Sequence, residues 1–242
     1  MPDVDVTAAR DVPPDRLEEA RREMEALQRY TSDQLLDARI AVRHTDGSRP
    51  WVADASLLLD KRVLAAHTAG KSIDEAIELA TDRLRTQVVR VSEKRDDLRT
   101  APPSERLLQP ERDLKPATER RIVHRYTYLS TTLGTIDALS ELYDLDLHFF
   151  LFAHVRGDDA VVYRRDDGRP GMIHPRGSVL ADEGDPVVTQ ESWFSEPLTL
   201  ELARNEMDYT SHRFMYYTAA ENGRGHVLYL RHDGDYGLVE PA

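Results

Sequence analysis

Residues 121–175 read RIVHRYTYLSTTLGTIDALSELYDLDLHFFLFAHVRGDDAVVYRRDDGRPGMIHP, and residues 187–241 read VVTQESWFSEPLTLELARNEMDYTSHRFMYYTAAENGRGHVLYLRHDGDYGLVEP. Set in register, each carries a hydroxyl-rich helix start, a short amphipathic helix, an apolar strand led by a histidine (His148, His212) and a polar hairpin. Each then closes with a tyrosine-bearing strand, Asp-Gly-x-x-Gly and a proline. A unit too small to bury its own apolar face is stabilised by its neighbour, so the natural partner of the first copy is the second. The strands Phe149-Phe150-Leu151-Phe152 and Phe214-Met215-Tyr216-Tyr217 are apolar on both faces. Each must therefore be covered twice, which calls for a packed partner sheet from the other copy, another chain, or both. The expected repeat-pairing residues are Phe150, Phe152, Tyr163, Phe214, Tyr216 and Tyr229. Pro170 cannot donate a ladder hydrogen bond and is expected to blunt its strand against further pairing.

The copies occupy 120–176 and 187–242, with a short connector at 177–186. Upstream, residues 99–119 (RTAPPSERLLQPERDLKPATE) hold four prolines and mixed charge with little apolar period, which predicts a flexible linker. Residues 1–98 predict a β-α-β-β-β-α domain. A strand begins at Asp3, and Pro13-Pro14-Asp15 opens a helix with Leu17, Ala20, Met24 and Leu27 on one face. Strand-like stretches follow at 35–44, 51–59 and 62–69. Ser72-x-x-Glu75 then caps a helix with Ile73, Ile77, Ala80, Leu84, Val88 and Val91 in phase. The fold class is α+β: two helices on one face of a sheet, tethered to two tandem small α+β repeats packed as a pseudo-dimer.

The net charge of −12 argues against a wholly basic nucleic-acid-binding protein. Up to residue 100 there are 17 Lys and Arg against 20 Asp and Glu; beyond it, 15 against 24. A polyanion site must be a local basic stripe in the first hundred residues. The absence of cysteine excludes disulfides and thiolate metal sites and fits a cytoplasmic protein. No apolar run approaches the roughly 20 residues that span a bilayer, and the N-terminus lacks a secretion signal. Gly-x-Ser-x-Gly, Gly-x-x-x-x-Gly-Lys-Ser/Thr and Gly-x-Gly-x-x-Gly are absent, so an enzyme is the least supported class. His148 and His212 have no companion at metal-ligand spacing, and the Asp-Gly pairs read as turns. No cofactor or metal is expected.

Trp51-Val52-Ala53-Asp54-Ala55, Val63-Leu64-Ala65-Ala66, Ser72-x-x-Glu75-Ala76-Ile77 and Asp82-Arg83-Leu84 with Gln87 and Arg90 resemble the N-terminal domain of bacterial ribosome hibernation factors. His148-Phe149-Phe150-Leu151-Phe152, Val161-Val162-Tyr163-Arg164-Arg165 and Asp233-Gly234-Asp235-Tyr236-Gly237-Leu238-Val239-Glu240-Pro241 resemble the C-terminal domain of the long members. The resemblance implies a non-enzymatic protein that docks in the decoding region of the small ribosomal subunit and silences idle ribosomes. In long members a single C-terminal domain joins two ribosomes. Two copies in one chain imply internal pairing and therefore single ribosomes; the alternatives are joined ribosomes, or an adaptor whose acidic repeats bind another protein.

Arg83, Arg90 and Lys94 lie about 100° from the apolar face of the second helix and form one flank suited to phosphate contacts. Arg21, Arg22 and Arg29 on the first helix are expected to frame the same groove. Lys71 at a helix start, together with Gln87 and Arg95, completes the expected rRNA-binding set. Thr86 and Val89 stand where relatives tend to carry a further basic residue, so the stripe is thin. The expected partners are the small subunit and its rRNA, with no DNA and no membrane, and at most a weak homodimer.

Overall fold

The computed structural model describes residues 3–8, 12–45, 48–60, 62–92, 115–128, 132–165, 167–181, 184–210, 212–231 and 234–242. They form two compact units. One holds the described part of Met1–Asp97 together with Tyr143–Leu147; the other holds the described part of Arg112–Leu142 and His148–Ala242.

In the first unit, β1 (Asp3–Ala8), α1 (Pro14–Ala26), β2 (Leu35–His44), β3 (Trp51–Leu59), β4 (Arg62–Gly70) and α2 (Ile73–Ser92) follow in chain order. The sheet order is β1-β2-β3-β4. β1 runs parallel to β2, a pairing that needs a crossover, and α1 supplies it. The other pairings are antiparallel. Alternation sets the buried face: Ala38, Ile40 and Val42 of β2 and Ala53, Ala55, Leu57 and Leu59 of β3 join Ala20 and Met24 of α1 and Ala76, Ile77, Ala80, Leu84 and Val88 of α2 in one core. Both helices thus cover one sheet face. Pro14 starts α1 where a missing N–H costs nothing, and a 3-10 turn, Leu27–Tyr30, ends it. At the start of α2 the Glu75 N–H donates to Ser72 Oγ (3.1 Å), and the Glu75 carboxylate accepts the Lys71 N–H (2.6 Å). This is a reciprocal cap. A Cβ at Gly70 would stand 2.6 Å from the Ala76 nitrogen, so the join from β4 to α2 requires glycine.

The second unit contains β5 (Ile122–Tyr128), β6 (Thr132–Leu133), α3 (Thr135–Asp144, its last two residues counted with the first unit), β7 (Phe149–His154), β8 (Asp159–Arg164) and β9 (Pro170–His174). β10 (Val188–Glu191), α4 (Leu200–Thr210), β11 (Phe214–Thr218), β12 (Gly225–Leu230) and β13 (Tyr236–Pro241) follow. One sheet has the order β10-β9-β8-β7-β6 and the other β11-β12-β13-β5. The leading strand of each segment therefore lies in the other segment's sheet. β5 runs parallel to β13, and β10 runs parallel to β9. Ile122 of β5 packs into the core between α4 and its sheet, with Met207, Tyr217, Tyr236 and Leu238.

Pro170 does not blunt β9. The β10 ladder starts one residue past it, at Gly171, where the missing N–H is not needed. The connecting region also departs from the expected linker. Ala117–Glu119 form a 3-10 turn, and Lys115 Nζ lies 2.5 Å from Asp235 Oδ2, so the end of that segment is held on the second unit. Residues 99–114 lie outside the described residues. The closing motifs also acquire a reason. Tyr163 pairs with Gly171 and Tyr229 with Gly237 across neighbouring strands, and a Cβ would stand 2.4 Å from the Tyr163 ring at Gly171 and 2.1 Å from the Tyr229 ring at Gly237. The aromatic covers a position that only glycine can fill.

Candidate nucleic-acid interface

Among the described residues β4 is an edge strand, so its outward carbonyls and N–H groups have no strand partner there and must be satisfied otherwise. The β4-facing flank of α2 does this with side chains at 83 and 87. Arg83 Nη1 donates to the His67 carbonyl (2.6 Å), and Gln87 Nε2 donates to the Ala65 carbonyl (2.7 Å). The same groups, and Arg90, meet Tyr143–Leu147. Arg83 pairs with Asp146 (2.8 Å), Gln87 Nε2 donates to the Tyr143 carbonyl (3.2 Å), and Arg90 pairs with Asp144 and stands 5.4 Å over the Tyr143 ring. Arg62 of β4 reaches Asp144 at 3.4 Å, and the His67 N–H donates to Asp146 (3.2 Å). Gln87 is 8% exposed, and its Oε1 has no hydrogen-bond partner among the described residues. The geometry is a row of two guanidiniums around a buried amide along a sheet edge. It suits two or three anionic groups in line.

The other expected rRNA residues are dispersed. Arg21 donates to the Val4 carbonyl of β1, at the opposite edge of the sheet from β4. Arg22 and Arg29 bond to carbonyls of their own helix turn, Glu18 (3.4 Å) and Ala26 (3.3 Å). They do not frame the Arg83 flank, because α1 packs over β1 and β2 while α2 packs over β3 and β4. Lys71 is exposed in the turn that starts α2. Lys94 and Arg95 lie outside the described residues. Arg62 and the His67 N–H were missed because nothing local marks β4 as a sheet edge.

In the second unit the two sheets share a core. Leu151 and Val161 come from one, Tyr216 and Val227 from the other, with Tyr128, Phe149, Ile173, Phe214 and Val239 around them. Ring centroids lie 5.0 Å apart for Phe149–Phe214, 5.5 Å for Phe149–Tyr229 and 5.5 Å for Tyr163–Phe214. Of the expected pairing residues, Tyr163, Phe214, Tyr216 and Tyr229 are brought together here. Phe150 and Phe152 are not: they stack on each other, 6.2 Å apart, and alternate with Phe149 and Leu151, which face the shared core instead. A strand apolar on both faces leaves its parity open until a sheet covers it.

Asp159 of β8 ties the sheets together. It accepts from Tyr128 Oη (2.9 Å), Arg224 Nε and Nη2 (2.8 and 2.9 Å) and the Gly225 N–H (2.7 Å), and its carbonyl accepts from Tyr216 Oη (2.9 Å). Burial alone would raise this carboxyl. The bonds from Arg224, Gly225 and Tyr128 outweigh burial and hold it below the usual carboxylate range. Tyr128 is driven the other way, upward, by burial and then by the Asp159 charge.

Comparison with known proteins bears on both units. The profile described as Sigma 54 modulation/S30EA ribosomal protein C terminus matches residues 182–238. The "Dormancy associated translation inhibitor" of Mycobacterium tuberculosis is 30% identical over 246 aligned residues, covering 93% of this chain and 84% of its own. The "Ribosome hibernation promotion factor" of Bacillus subtilis is 30% identical over 93 residues, 38% of this chain and 43% of its own. The crystal structure of the Thermus thermophilus Protein Y N-terminal domain aligns with 38% of this chain and 99% of its own, at 21% identity and a TM-score of 0.33. The match to the mycobacterial inhibitor along nearly the whole chain, with the C-terminal profile inside it, places the chain in the bacterial ribosome hibernation promotion factor family.

Proposed function

We propose that this protein is a non-enzymatic ribosome hibernation factor. It docks through its first unit in the decoding region of the small ribosomal subunit, overlaps the paths of mRNA and tRNA, and silences idle cytoplasmic ribosomes one at a time. The observation that carries this reading is the full-length likeness to a dormancy associated translation inhibitor. The row Arg83, Gln87 and Arg90 supports it. Guanidiniums bind phosphate without reading sequence, which suits a folded RNA surface recognised by shape.

The preference for single ribosomes has its own support. β5 and β10 are exchanged between the two segments, and the aromatic faces that would otherwise seek a second molecule are closed on each other within one chain. The two segments then act as an internal pseudo-dimer.

A sucrose gradient of purified ribosomes with the protein, at low and moderate salt, beside an Arg83→Glu/Arg90→Glu/Lys94→Glu variant, tests both parts. Comigration with single ribosomes, weakened by salt and lost in the variant, is expected. A shift into paired ribosomes would remove the single-ribosome part and leave the docking. Absence of comigration would favour an adaptor that binds another protein through its acidic C-terminal half.

A further inference from the structure

We propose that Tyr143–Leu147 is an internal competitor for the RNA-docking flank, an acidic piece of this chain that occupies the guanidiniums of α2 until ribosomal phosphate displaces it. The inference rests on the docking role given to Arg83, Gln87 and Arg90. All three of these positions, spaced along one flank of α2, are engaged by Tyr143, Asp144 and Asp146, within four residues of chain.

The chemistry is that of an anion standing in for another. Asp144 and Asp146 are 6% and 8% exposed, so each carboxylate has given up its water for protein donors. Asp144 is held by Arg90 and Arg62, and Asp146 by Arg83 and the His67 N–H. Carboxylate and phosphate oxygens accept from guanidinium in the same way, so an arginine committed to one is withheld from the other. Arg83 Nη1 is already shared between Asp146 and the His67 carbonyl. Asp146 also holds a left-handed backbone, φ 50°, a conformation that aspartate adopts more readily than most side chains.

The fit is incomplete at one point. Gln87 commits its Nε2 to two carbonyls, which leaves Oε1 buried and without a partner among the described residues. None of the segment's described donors reaches that oxygen. A ribose 2′-hydroxyl brings one. The segment therefore balances the charge of the flank without completing its hydrogen bonding, as expected of an occupant that is exchanged.

The test is the affinity of the full-length protein for purified small subunits, by sedimentation, for the native chain and an Asp144→Asn/Asp146→Asn variant. Asparagine keeps the shape and removes the charge. Freeing the flank should tighten binding about tenfold, since apparent affinity scales with the competent fraction. Each single substitution should give about threefold on the same relation, and the singles serve if the double variant fails to melt cooperatively. Two controls fix the interpretation. The same Asn pair in an Arg83→Glu/Arg90→Glu background should give no gain. A Glu196→Gln/Glu201→Gln variant, which changes net charge equally at exposed positions, should leave affinity unchanged.

Equal affinity of native and Asn-pair proteins, with binding still lost in Arg83→Glu/Arg90→Glu, would overturn the competition and keep the docking. An equal gain from the Gln control would assign the effect to net charge and overturn the competition too. Binding indifferent to Arg83→Glu/Arg90→Glu would remove the docking flank, and the competitor with it.

Discussion

Asp159 is the residue on which the paired sheets depend most. A buried carboxylate is tolerable only with several donors, and here Tyr128, Arg224 and Gly225 supply them from the opposite sheet. Its folded pKa lies below the unfolded value, so its contribution is complete above the unfolded pKa of about 3.9 and is lost as pH falls through the lower folded value. Asp159→Asn should cost about 2–3 kcal/mol at neutral pH, because donors are left unpaired. In melts followed from pH 7 to pH 2, the gap between native and variant should close below about pH 4. A gap independent of pH would show that charge at Asp159 contributes nothing. The single residue was not legible in advance. In sequence Asp158-Asp159 is one of several paired acids in a polar stretch, and only the arrival of β5 and β12 makes the second acid a hub.

α2 is the best-specified element. Its apolar spacing, the Ser72 and Glu75 signals and its length all agree with one helix from Ile73 to Ser92. Ser72→Ala removes one half of the reciprocal cap and should cost about 1 kcal/mol. Amide exchange is expected to quicken in the first turn of α2, at Glu75 and Ala76, with the last turn unaffected. Uniform quickening along the helix would mean that the cap is coupled to the whole core instead. Strand phase was less legible. In β2 the alternation of Ala38, Ile40 and Val42 with Arg39 and Arg43 fixes which face is buried. In β7 every position from Phe149 to Phe152 is apolar, and the parity chosen from sequence was off by one residue.

The reciprocal placement of β5 and β10 makes the C-terminal half one closed body. A protease site inserted between residues 176 and 186 should therefore not release its second part. After cleavage the two pieces should co-elute on gel filtration and separate only in denaturant, because each holds a strand of the other's sheet. Independent elution of the C-terminal piece in native buffer would show that the exchange is too weak to hold them. The same closure underlies the expectation of single ribosomes. An apolar face already covered within the chain has little to gain from a second molecule.

Local sequence determined the fold class and the elements of the first unit. The repeated closing motif, the period-two pattern of β2 and the period-3.6 pattern of α2 are each carried by residues close together in the chain, so the α+β class could be read directly. The tertiary structure alone decided which strands stand at edges, which leading strand joins which sheet, which face of β7 is covered, and what lies on Arg83 and Arg90. Each of these is a contact between residues far apart in sequence. Its energy depends on where the rest of the chain is, and no local pattern encodes that.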